Sequence, residues 1–576
     1  MSISLERIAE WGPTTPAAAT DPVLPGCGEG SALIRFAFFA LWAALLLAWS
    51  PARAQVADPA AAADRLFGAM AADRPGAVVL VARGGETLYA RAFGAADLEQ
   101  GTPIAPDTRF HVASVSKQFT ALAVALLARE GRIDLREDIR RYLPELPDFG
   151  RRIAVADLLH HTSGLRDQWE LLILSGTDMQ SLLTQRAILG LVRAQRELNF
   201  APGTEYRYSN TGYSLAAEIV ARVSGMPFRR FVQERIFAPL GMTASLIYDN
   251  AAEIVPRRAQ SYATTAAGVV EHRRLNYSNY GATSMITTAT DLARWSRELL
   301  APRLFDPALI RSLHEPARLA DGTASNYGLG LYKAKIRGRE AVLHGGSDAG
   351  FRALVATYPA EGATIVILSN GAADLMPWHE GLVDIFLNDG AAPMAVLQPA
   401  PGELARLAGY YASRWGPGME LKVEGARLVR TAGGPPGPAL FKADGAIEFP
   451  PSSARFYAIG PAAGPVAALE ERPISGPPVR YDRIEKRPVT VAELRALAGR
   501  YRSEELDITY ELAMTGDRPT LSSLQWAEPI PLTPVTPDWL DWPSGRIVVV
   551  RGADGRPAGL RITTGRARNL RFDRID

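Results

Sequence analysis

The sequence predicts an α+β domain followed by two small antiparallel β-barrels, and three observations predict this organisation. The chain has 576 residues, too many for one compact core. Its first two thirds run from a β-hairpin through helices to a set of strands, an order typical of α+β proteins. Its last third contains a repeat at an offset of about 90 residues. We therefore expect one large domain and two copies of a smaller one.

The large domain begins with a short helix over residues 60–70 and a hairpin built from residues 77–82 and 86–93, with Arg83-Gly84-Gly85 at the turn. From residue 116 to residue 130 apolar side chains recur at helical spacing, and Gly131 ends the run.

A mostly helical region follows as far as about residue 300. Strands are then predicted at residues 342–343, 353–358 and 364–368. We expect these strands and the first hairpin to form one antiparallel sheet, closed by both ends of the domain and covered by helices.

The repeat indicates the two barrels. Residues 403–413 match residues 493–503, and residues 481–485 match residues 572–576, at offsets of 90 and 91. Short strand-like runs rich in Gly and Pro lie between these marks. The predicted domains are therefore a large domain over 55–390, an Ala- and Pro-rich linker over 391–402 and barrels over 403–488 and 489–576. A single barrel made of two half-repeats is the alternative.

The N-terminal segment predicts export. The uncharged apolar run 36–49 is followed by Ala52-Arg53-Ala54, which is typical of a signal peptide cleaved after Ala54. Residues 1–54 are therefore expected to be a leader, and the mature protein to be periplasmic or secreted. A membrane anchor is the alternative reading. Residues 1–34 carry four acidic residues, so we expect translation to start near Arg35.

Composition excludes several classes of function. A net charge of +2 gives no reason to expect nucleic acid or an anionic membrane as partner. The only cysteine, Cys27, lies in the leader, so the mature chain has no thiol to act as nucleophile or ligand. The pair His160-His161 has no third ligand at metal spacing. We expect neither a metal nor a cofactor.

The candidate nucleophile is Ser114, in the pattern Ser114-Val115-Ser116-Lys117. Only six of the 63 basic residues are lysine, so a lysine in this pattern is informative. Ser114 would open a helix, where free backbone N–H groups favour negative charge. Lys117 would lie one turn later on the same face, and a buried lysine with a lowered pKa can take the proton of a serine hydroxyl. The alternative is a purely structural role, in which Ser114 caps the helix and Lys117 is exposed to solvent.

S-x-x-K at the start of an apolar helix resembles the first motif of penicillin-binding proteins and serine β-lactamases. The surrounding sequence resembles the class C side of that superfamily between about residue 60 and residue 387. The segments that carry the resemblance are 110–113, 133–138, 142–144, 158–165, 239–242, 288–293 and 327–330. The resemblance implies a β-lactamase/transpeptidase-like fold for the large domain.

The second motif of this superfamily is Y-x-N, and the sequence contains it three times: at 208–210, 248–250 and 277–279. The first copy follows Pro-Gly-Thr and precedes a helix, as in the superfamily. The resemblance implies that Tyr208 shares proton transfer with Lys117, and that the Asn210 amide holds the substrate or the lysine. The other two copies are interpreted as turns.

The third motif, K-T-G, is replaced here by His344-Gly345-Gly346, followed by Ser347. The glycines would let substrate backbone approach the strand. The resemblance implies that the N–H groups of Ser347 and Ser114 form an oxyanion hole. Histidine in place of lysine removes a fixed cation and argues against efficient β-lactam hydrolysis. The histidine is typical of the D-aminopeptidase-like and esterase-like branch.

These observations predict a serine hydrolase that acts through an acyl-enzyme on Ser114. Expected partners are small-molecule amides, esters or peptides, including peptides with D-amino acids. The two C-terminal repeats resemble, in number and size, the lipocalin-like barrels of D-aminopeptidase. Two alternatives stay open, namely a non-catalytic penicillin-binding sensor or cell-wall adaptor, and a weak class C-like β-lactamase.

Overall fold

The computed structural model describes residues 58–576, except residues 266, 389, 391–393, 435, 451, 453, 462 and 475. The predicted leader, the cleavage site after Ala54 and residues 391–393 of the predicted linker lie outside the described residues. Within the described part, none of the helices combines the length and the apolar character needed to cross a membrane.

The large domain is built on a six-stranded antiparallel sheet, as predicted. Its strands, in spatial order, are Tyr332–Ile336, Arg339–Asp348, Phe351–Tyr358, Ala363–Ser369, Ala77–Arg83 and Glu86–Phe93. The N-terminal hairpin pairs with the last strand, with Ala77 opposite Ser369 and Val81 opposite Ile365. Every residue of Ala363–Ser369 is buried, because the strand lies inside the sheet and the helices Ala289–Leu300 and Met376–Phe386 pack against it.

The helices occupy the predicted region, with one at each end of the domain. They are Pro59–Phe67, Lys117–Arg129, Val155–Leu159, Gln168–Leu174, Gln185–Arg193, Asn210–Ser224, Phe228–Val232, Ala289–Leu300, Pro307–Leu313 and Met376–Phe386. Single turns of other helix types cover Ala113–Ser116, Ile139–Arg141 and Gln233–Phe237. Short strands connect them at Ala95–Asp97, Thr102–Pro103, Phe110–His111, Leu183–Thr184, Leu246–Ile247, Tyr262–Thr264, Val270–His272, Tyr277–Ser278 and Met285–Thr287.

The helix Lys117–Arg129 is buried on nearly all sides, from Lys117 through Ala125 and again at Leu127. A helix that is apolar all round belongs in a core rather than on a surface. It packs against Asn210–Ser224, and this pairing brings the first and second motifs together. The core of the domain therefore holds the candidate site rigidly.

Two separate antiparallel sheets follow, which favours two barrels over one barrel of two half-repeats. The first contains the strands Val396–Leu397, Gly409–Ala412, Met419–Glu424, Arg427–Ala432, Gly437–Pro438, Leu440–Lys442, Ile447–Glu448, Arg455–Ile459, Ala468–Arg472 and Val479–Ile484. The second contains Gly499–Ser503, Ile508–Thr515, Arg518–Ser522, Ile530–Pro531, Thr533–Thr536, Trp539–Trp542, Gly545–Arg551, Pro557–Thr564 and Leu570–Arg574.

Both sheets are barrel-like. In the second sheet the two edge strands, Ile530–Pro531 and Thr533–Thr536, are consecutive in the chain, so the edges lie close together. In the first sheet, Gly437–Pro438 forms one edge, and the next strand in the chain, Leu440–Lys442, lies beside the other. Strand Val396–Leu397 belongs to this first sheet, although it lies in the predicted linker. The exact domain boundaries stay predictions.

The sequence repeat builds the same structure twice. A short helix, Pro401–Leu407 or Val491–Ala496, precedes the first strand of each barrel. The Tyr411 hydroxyl donates to the Leu407 carbonyl at 2.9 Å, and the Tyr501 hydroxyl donates to the Leu497 carbonyl at 2.7 Å. An arginine of each last strand covers the tyrosine ring: Arg483 over Tyr411 and Arg574 over Tyr501.

Candidate active site

Ser114 lies in the turn Ala113–Ser116, directly before the buried helix. Ala113 has a φ of 47°, an unfavourable conformation for a residue with a Cβ. The Ser116 hydroxyl holds the turn by donating to the Ala113 carbonyl at 2.6 Å, and it accepts from the Met285 N–H at 3.0 Å. Such strain persists only where the surroundings impose it, and it is common at active sites.

The third-motif strand packs directly against this turn. A Cβ at Gly346 would lie 2.2 Å from the Val112 carbonyl oxygen, so only glycine lets the strand approach. We expected the glycine to make room for substrate backbone, whereas at Gly346 it makes room for the chain that leads to Ser114. Gly330, with a φ of 73°, similarly lies against the first turn of the helix, where a Cβ would meet the Lys117 carbonyl oxygen at 2.7 Å.

Lys117 is fully buried and reaches Ser114. Its Nζ lies 3.0 Å from Ser114 Oγ, 2.7 Å from Asn210 Oδ1 and 2.7 Å from the Ala282 carbonyl oxygen. Burial lowers the pKa of Lys117 to about 7, although the carboxylates of Asp348 and Asp167 oppose that shift. A substantial fraction of the amine is therefore neutral near pH 7 and able to accept the Ser114 proton.

Tyr208 lies beside both groups. The Lys117 Nζ is 4.9 Å from the centre of its ring. Burial raises the pKa of the Tyr208 hydroxyl well above its usual range, and a hydrogen bond with Ser114 opposes that rise. His161 packs on the ring with centroids 4.2 Å apart and accepts from the Ser209 N–H at 3.1 Å. His161 therefore positions the tyrosine.

Asn210 connects Lys117 to a buried carboxylate that the sequence analysis missed. Asp167 Oδ2 accepts from the Asn210 backbone N–H at 2.6 Å and from its side-chain Nδ2 at 2.7 Å. These bonds orient the amide so that its oxygen faces Lys117. Asp167 Oδ1 accepts from the Trp169 N–H at 3.0 Å and caps the helix Gln168–Leu174. Its place two residues after the 158–165 motif was the only signal for it.

His344 lies in the wall of the site as a neutral group. Its Nδ1 lies 2.6 Å from the Gly345 carbonyl oxygen, to which it donates, and its Nε2 lies 2.9 Å from the Tyr327 hydroxyl. Burial and the nearby Lys117 lower the pKa of His344 to about 3. The strand therefore supplies no cation at this position. Ser347 is exposed at the end of the same strand.

The other two Y-x-N segments do not provide a second site. Tyr248 donates to the Ala251 carbonyl at 2.8 Å, and Asn250 Oδ1 accepts from the Ala252 N–H at 3.0 Å, as in a turn. Tyr277 stacks on Trp169 with centroids 5.0 Å apart. Across the described residues there is no cluster of three or more His, Cys, Asp or Glu side chains that could hold a metal ion.

A cavity of about 590 Å³ opens on Ser114. It brings together six of the seven predicted site residues: Ser114, Tyr208, Asn210, His344, Gly346 and Ser347. The seventh, Lys117, lies buried beneath it. Lining residues that the sequence analysis missed include Trp169, Asp348, Arg352, Ile474 and Arg566. Two of these, Ile474 and Arg566, come from the barrels.

Each barrel contributes the loop between its last two strands, and the catalytic domain holds both loops in the same way. Asn326 Nδ2 donates to the Ile474 carbonyl at 2.7 Å, and its Oδ1 accepts from the Gly476 N–H at 2.6 Å. Asn199 Nδ2 donates to the Arg566 carbonyl at 3.0 Å, and its Oδ1 accepts from the Arg568 N–H at 2.7 Å.

The second loop is held by further contacts. The Asp167 N–H donates to the Arg566 carbonyl at 3.2 Å. Arg166, whose side chain is fully buried, donates to the Arg568 carbonyl at 3.1 Å and forms an ion pair with Glu505 of the second barrel. The Tyr510 hydroxyl donates to the Leu174 carbonyl at 2.6 Å. The second barrel is therefore bonded to the segment that carries Asp167.

The fold and the site together place a buried lysine amine beside a serine hydroxyl at one cavity. A model of the family described as Beta-lactamase matches residues 63–386, more than half of the chain. The protein belongs to the Beta-lactamase family.

Two relatives are named D-aminopeptidase. The chain is 32% identical over 279 residues to the D-aminopeptidase of Brucella anthropi, which covers 48% of this chain and 52% of that protein. It thus spans about half the length of this relative. It is 28% identical over 448 residues to the D-aminopeptidase of Gluconobacter oxydans, covering 76% of this chain and 82% of the relative.

The fold is similar to that of the octameric penicillin-binding protein homologue from Pyrococcus abyssi. The TM-score is 0.51 at 21% sequence identity, and the match covers 71% of this chain and 96% of that structure. At this identity the similarity concerns the fold.

Proposed function

We propose that the protein cleaves small amides or esters, including short peptides with D-amino acids, through an acyl-enzyme on Ser114. The observation that carries this proposal is the 3.0 Å contact between the buried Lys117 Nζ and Ser114 Oγ. The names of the relatives, two of them D-aminopeptidases, support the substrate class.

In the proposed reaction, neutral Lys117 accepts the Ser114 proton as Oγ bonds to the substrate carbonyl carbon. The backbone N–H groups of Ser114 and Ser347 stabilise the negative charge on the carbonyl oxygen. The bond to the leaving group then breaks, and that group takes the proton from Lys117, directly or through Tyr208. Water then attacks the acyl carbon and gives its proton to the same amine. The bond between Ser114 Oγ and the acyl carbon breaks, the amine returns the proton to Oγ, and the acid leaves.

The neutral state of His344 favours this proposal over β-lactam hydrolysis, because a β-lactam carboxylate would find no cation on that strand. A purely binding role is disfavoured by the convergence of Ser114, Lys117 and Tyr208 around one cavity. The apolar run 36–49 further supports export as part of the proposal. N-terminal sequencing of the secreted or periplasmic protein is expected to begin at Gln55.

Active-site labelling tests the acyl-enzyme. A fluorophosphonate or penicillin probe is expected to add the mass of one label to the wild type and none to Ser114→Ala. Ser452→Ala is the matched control, since Ser452 lines the same cavity. Absence of labelling with both probes would contradict the proposal. A D-alanine anilide, a short acyl ester and a cephalosporin then identify the bond that is cleaved.

The rate of labelling is expected to rise with pH through about 7. Lys117 is protonated below its lowered pKa, so it can accept the Ser114 proton only above it. Asp348, Asp167 and Arg566 are the charged groups whose fields act on it. Lys117→Met is expected to label about 100- to 10,000-fold more slowly, with no rise near pH 7. A flat wild-type profile between pH 6 and pH 9 would contradict the role of Lys117.

A further inference from the structure

We propose that Arg566, carried into the catalytic cavity by the second barrel, binds a carboxylate of the substrate. The inference rests on the proposed function and specifies its substrate class as anionic amides or esters. It assigns to the second barrel a direct part in substrate selection.

The guanidinium of Arg566 is available to a ligand. It lines the cavity, and its Cζ lies 4.9 Å from the centre of the Tyr208 ring. Among the described residues, none accepts a hydrogen bond from its side chain, and no carboxylate lies at ion-pair distance from it. A half-buried arginine stacked on an aromatic ring keeps its planar set of N–H donors, which matches the geometry of a carboxylate.

The two carboxylates that act most strongly on the pKa of Arg566 form hydrogen bonds with other residues. Asp167 accepts three hydrogen bonds from Asn210 and Trp169, and Glu170 interacts with Thr564. Both act on Arg566 through space without satisfying its donors. They favour the charged form of the arginine in a cavity where burial alone would oppose it.

Hydrogen bonds to the large domain fix the backbone of Arg566. Its backbone carbonyl accepts from Asn199 at 3.0 Å and from the Asp167 N–H at 3.2 Å. The same Asp167 orients Asn210, the residue that contacts Lys117. Asp167 therefore links the backbone of Arg566 to Asn210, and through Asn210 to Lys117.

The other cations at the site are less available. Lys117 contacts three acceptors beneath the cavity floor. Arg352 donates to the carbonyl groups of Ala349 and Phe351 at 3.1 and 2.7 Å. His344 is neutral and offers no charge to a carboxylate.

Matched substrates test this assignment. One pair is D-alanyl-4-aminobenzoate and its 4-carboxamide, which places the charge on the leaving group. A second pair is succinyl-D-alanine 4-nitroanilide and the corresponding succinamide, which places it on the acyl side. We expect the wild type to prefer the carboxylate member of at least one pair. Arg566→Gln should reduce this preference about 10- to 100-fold, the effect of losing a hydrogen bond to a charged group.

Arg568→Gln is the matched control. Arg568 lies two residues away in the same loop, but its guanidinium stacks on Trp415 at 5.4 Å and lies 3.8 Å from Glu205. It is expected to keep the wild-type preference within about 3-fold, an ordinary margin for a surface change. Arg566→Lys, which retains the charge but not the planar donors, should give an intermediate preference.

An inhibition experiment on the wild type tests the same assignment without relying on the folding of any variant. Benzoate and succinate should slow fluorophosphonate labelling of Ser114 at lower concentrations than benzamide and succinamide do. The assignment is overturned if carboxylate and carboxamide behave alike in both pairs and as inhibitors, or if the preference survives in Arg566→Gln. If the wild type takes no label at all, the proposed function itself has failed.

Discussion

The last hairpin loops of the two barrels reach the same cavity with different chemistry. Both loops are held by an asparagine that donates to one backbone carbonyl and accepts from the N–H two residues later. The first loop presents the apolar side chain of Ile474, and the second presents the cation of Arg566. The two copies share their framework and the asparagine contacts, and they differ in the residue that faces the cavity.

The barrel residues that match between the two repeats are different from the barrel residues that line the cavity. The matching residues, such as Tyr411 and Tyr501, lie in the two barrel cores and hold the first strand to the preceding helix. The residues that line the cavity lie outside the matching segments. The similarity between the two repeats therefore identifies residues that build the barrels. The barrel residues that line the cavity lie where the two repeats differ.

The largest expected effect concerns the attachment of the second barrel. Arg166→Met leaves Glu505 buried without its partner, since their side chains are 0% and 7% exposed. Breaking such a pair costs about 3–5 kcal/mol. The free energy of unfolding should fall by this amount in urea denaturation. The corresponding change for the first barrel, Glu380→Gln, removes the pair with Arg455, whose side chains are 32% and 27% exposed, and should cost less than about 1 kcal/mol. Equal losses would show that the two barrels are attached alike.

The two asparagines provide a sharper comparison of function. Asn199→Ala and Asn326→Ala each remove two hydrogen bonds to a loop backbone, which should cost about 2 kcal/mol. Asn326→Ala should cost somewhat more, because Asn326 also donates to the Lys333 carbonyl at 2.9 Å. Only Asn199→Ala is expected to lower the preference for carboxylate over carboxamide substrates, because it weakens the attachment of the loop that carries Arg566. The ratio of the two kcat/KM values measures this. A lowered ratio in Asn326→Ala would show that both loops recognise the charge.

The smallest effect concerns the shared framework. Tyr501→Phe removes one hydrogen bond and should cost about 1 kcal/mol. Tyr411→Phe should cost somewhat more, because the Tyr411 hydroxyl also accepts from Arg483 at 2.7 Å. Denaturation midpoints measure both losses. Neither variant is expected to change kcat/KM, and a change would mean that the barrel cores influence the cavity.

The sequence predicted the sheet, the nucleophile helix and the convergence of Ser114, Lys117 and Tyr208. These predictions rest on strong local signals, namely apolar runs, helical periodicity and resemblance to known motifs. It did not predict Asp167 or Arg566 as site residues, because their roles depend on contacts across large sequence separations. The Arg566 carbonyl meets Asn199 across 367 positions. Gly346 was predicted to make room for substrate, whereas it makes room for the Val112 carbonyl. The sequence pattern does not show which chain segment packs against a glycine.

The burial of the helix Lys117–Arg129 also bears on how the protein can change over generations. Almost any substitution in that helix would disturb the core and the reacting groups together, so selection has little freedom there. The two loop tips reach the cavity from outside that helix, and Ile474 also packs against the core of the large domain. Substitutions at Arg566 are therefore expected to change the lining of the cavity with less disturbance of Ser114 and Lys117.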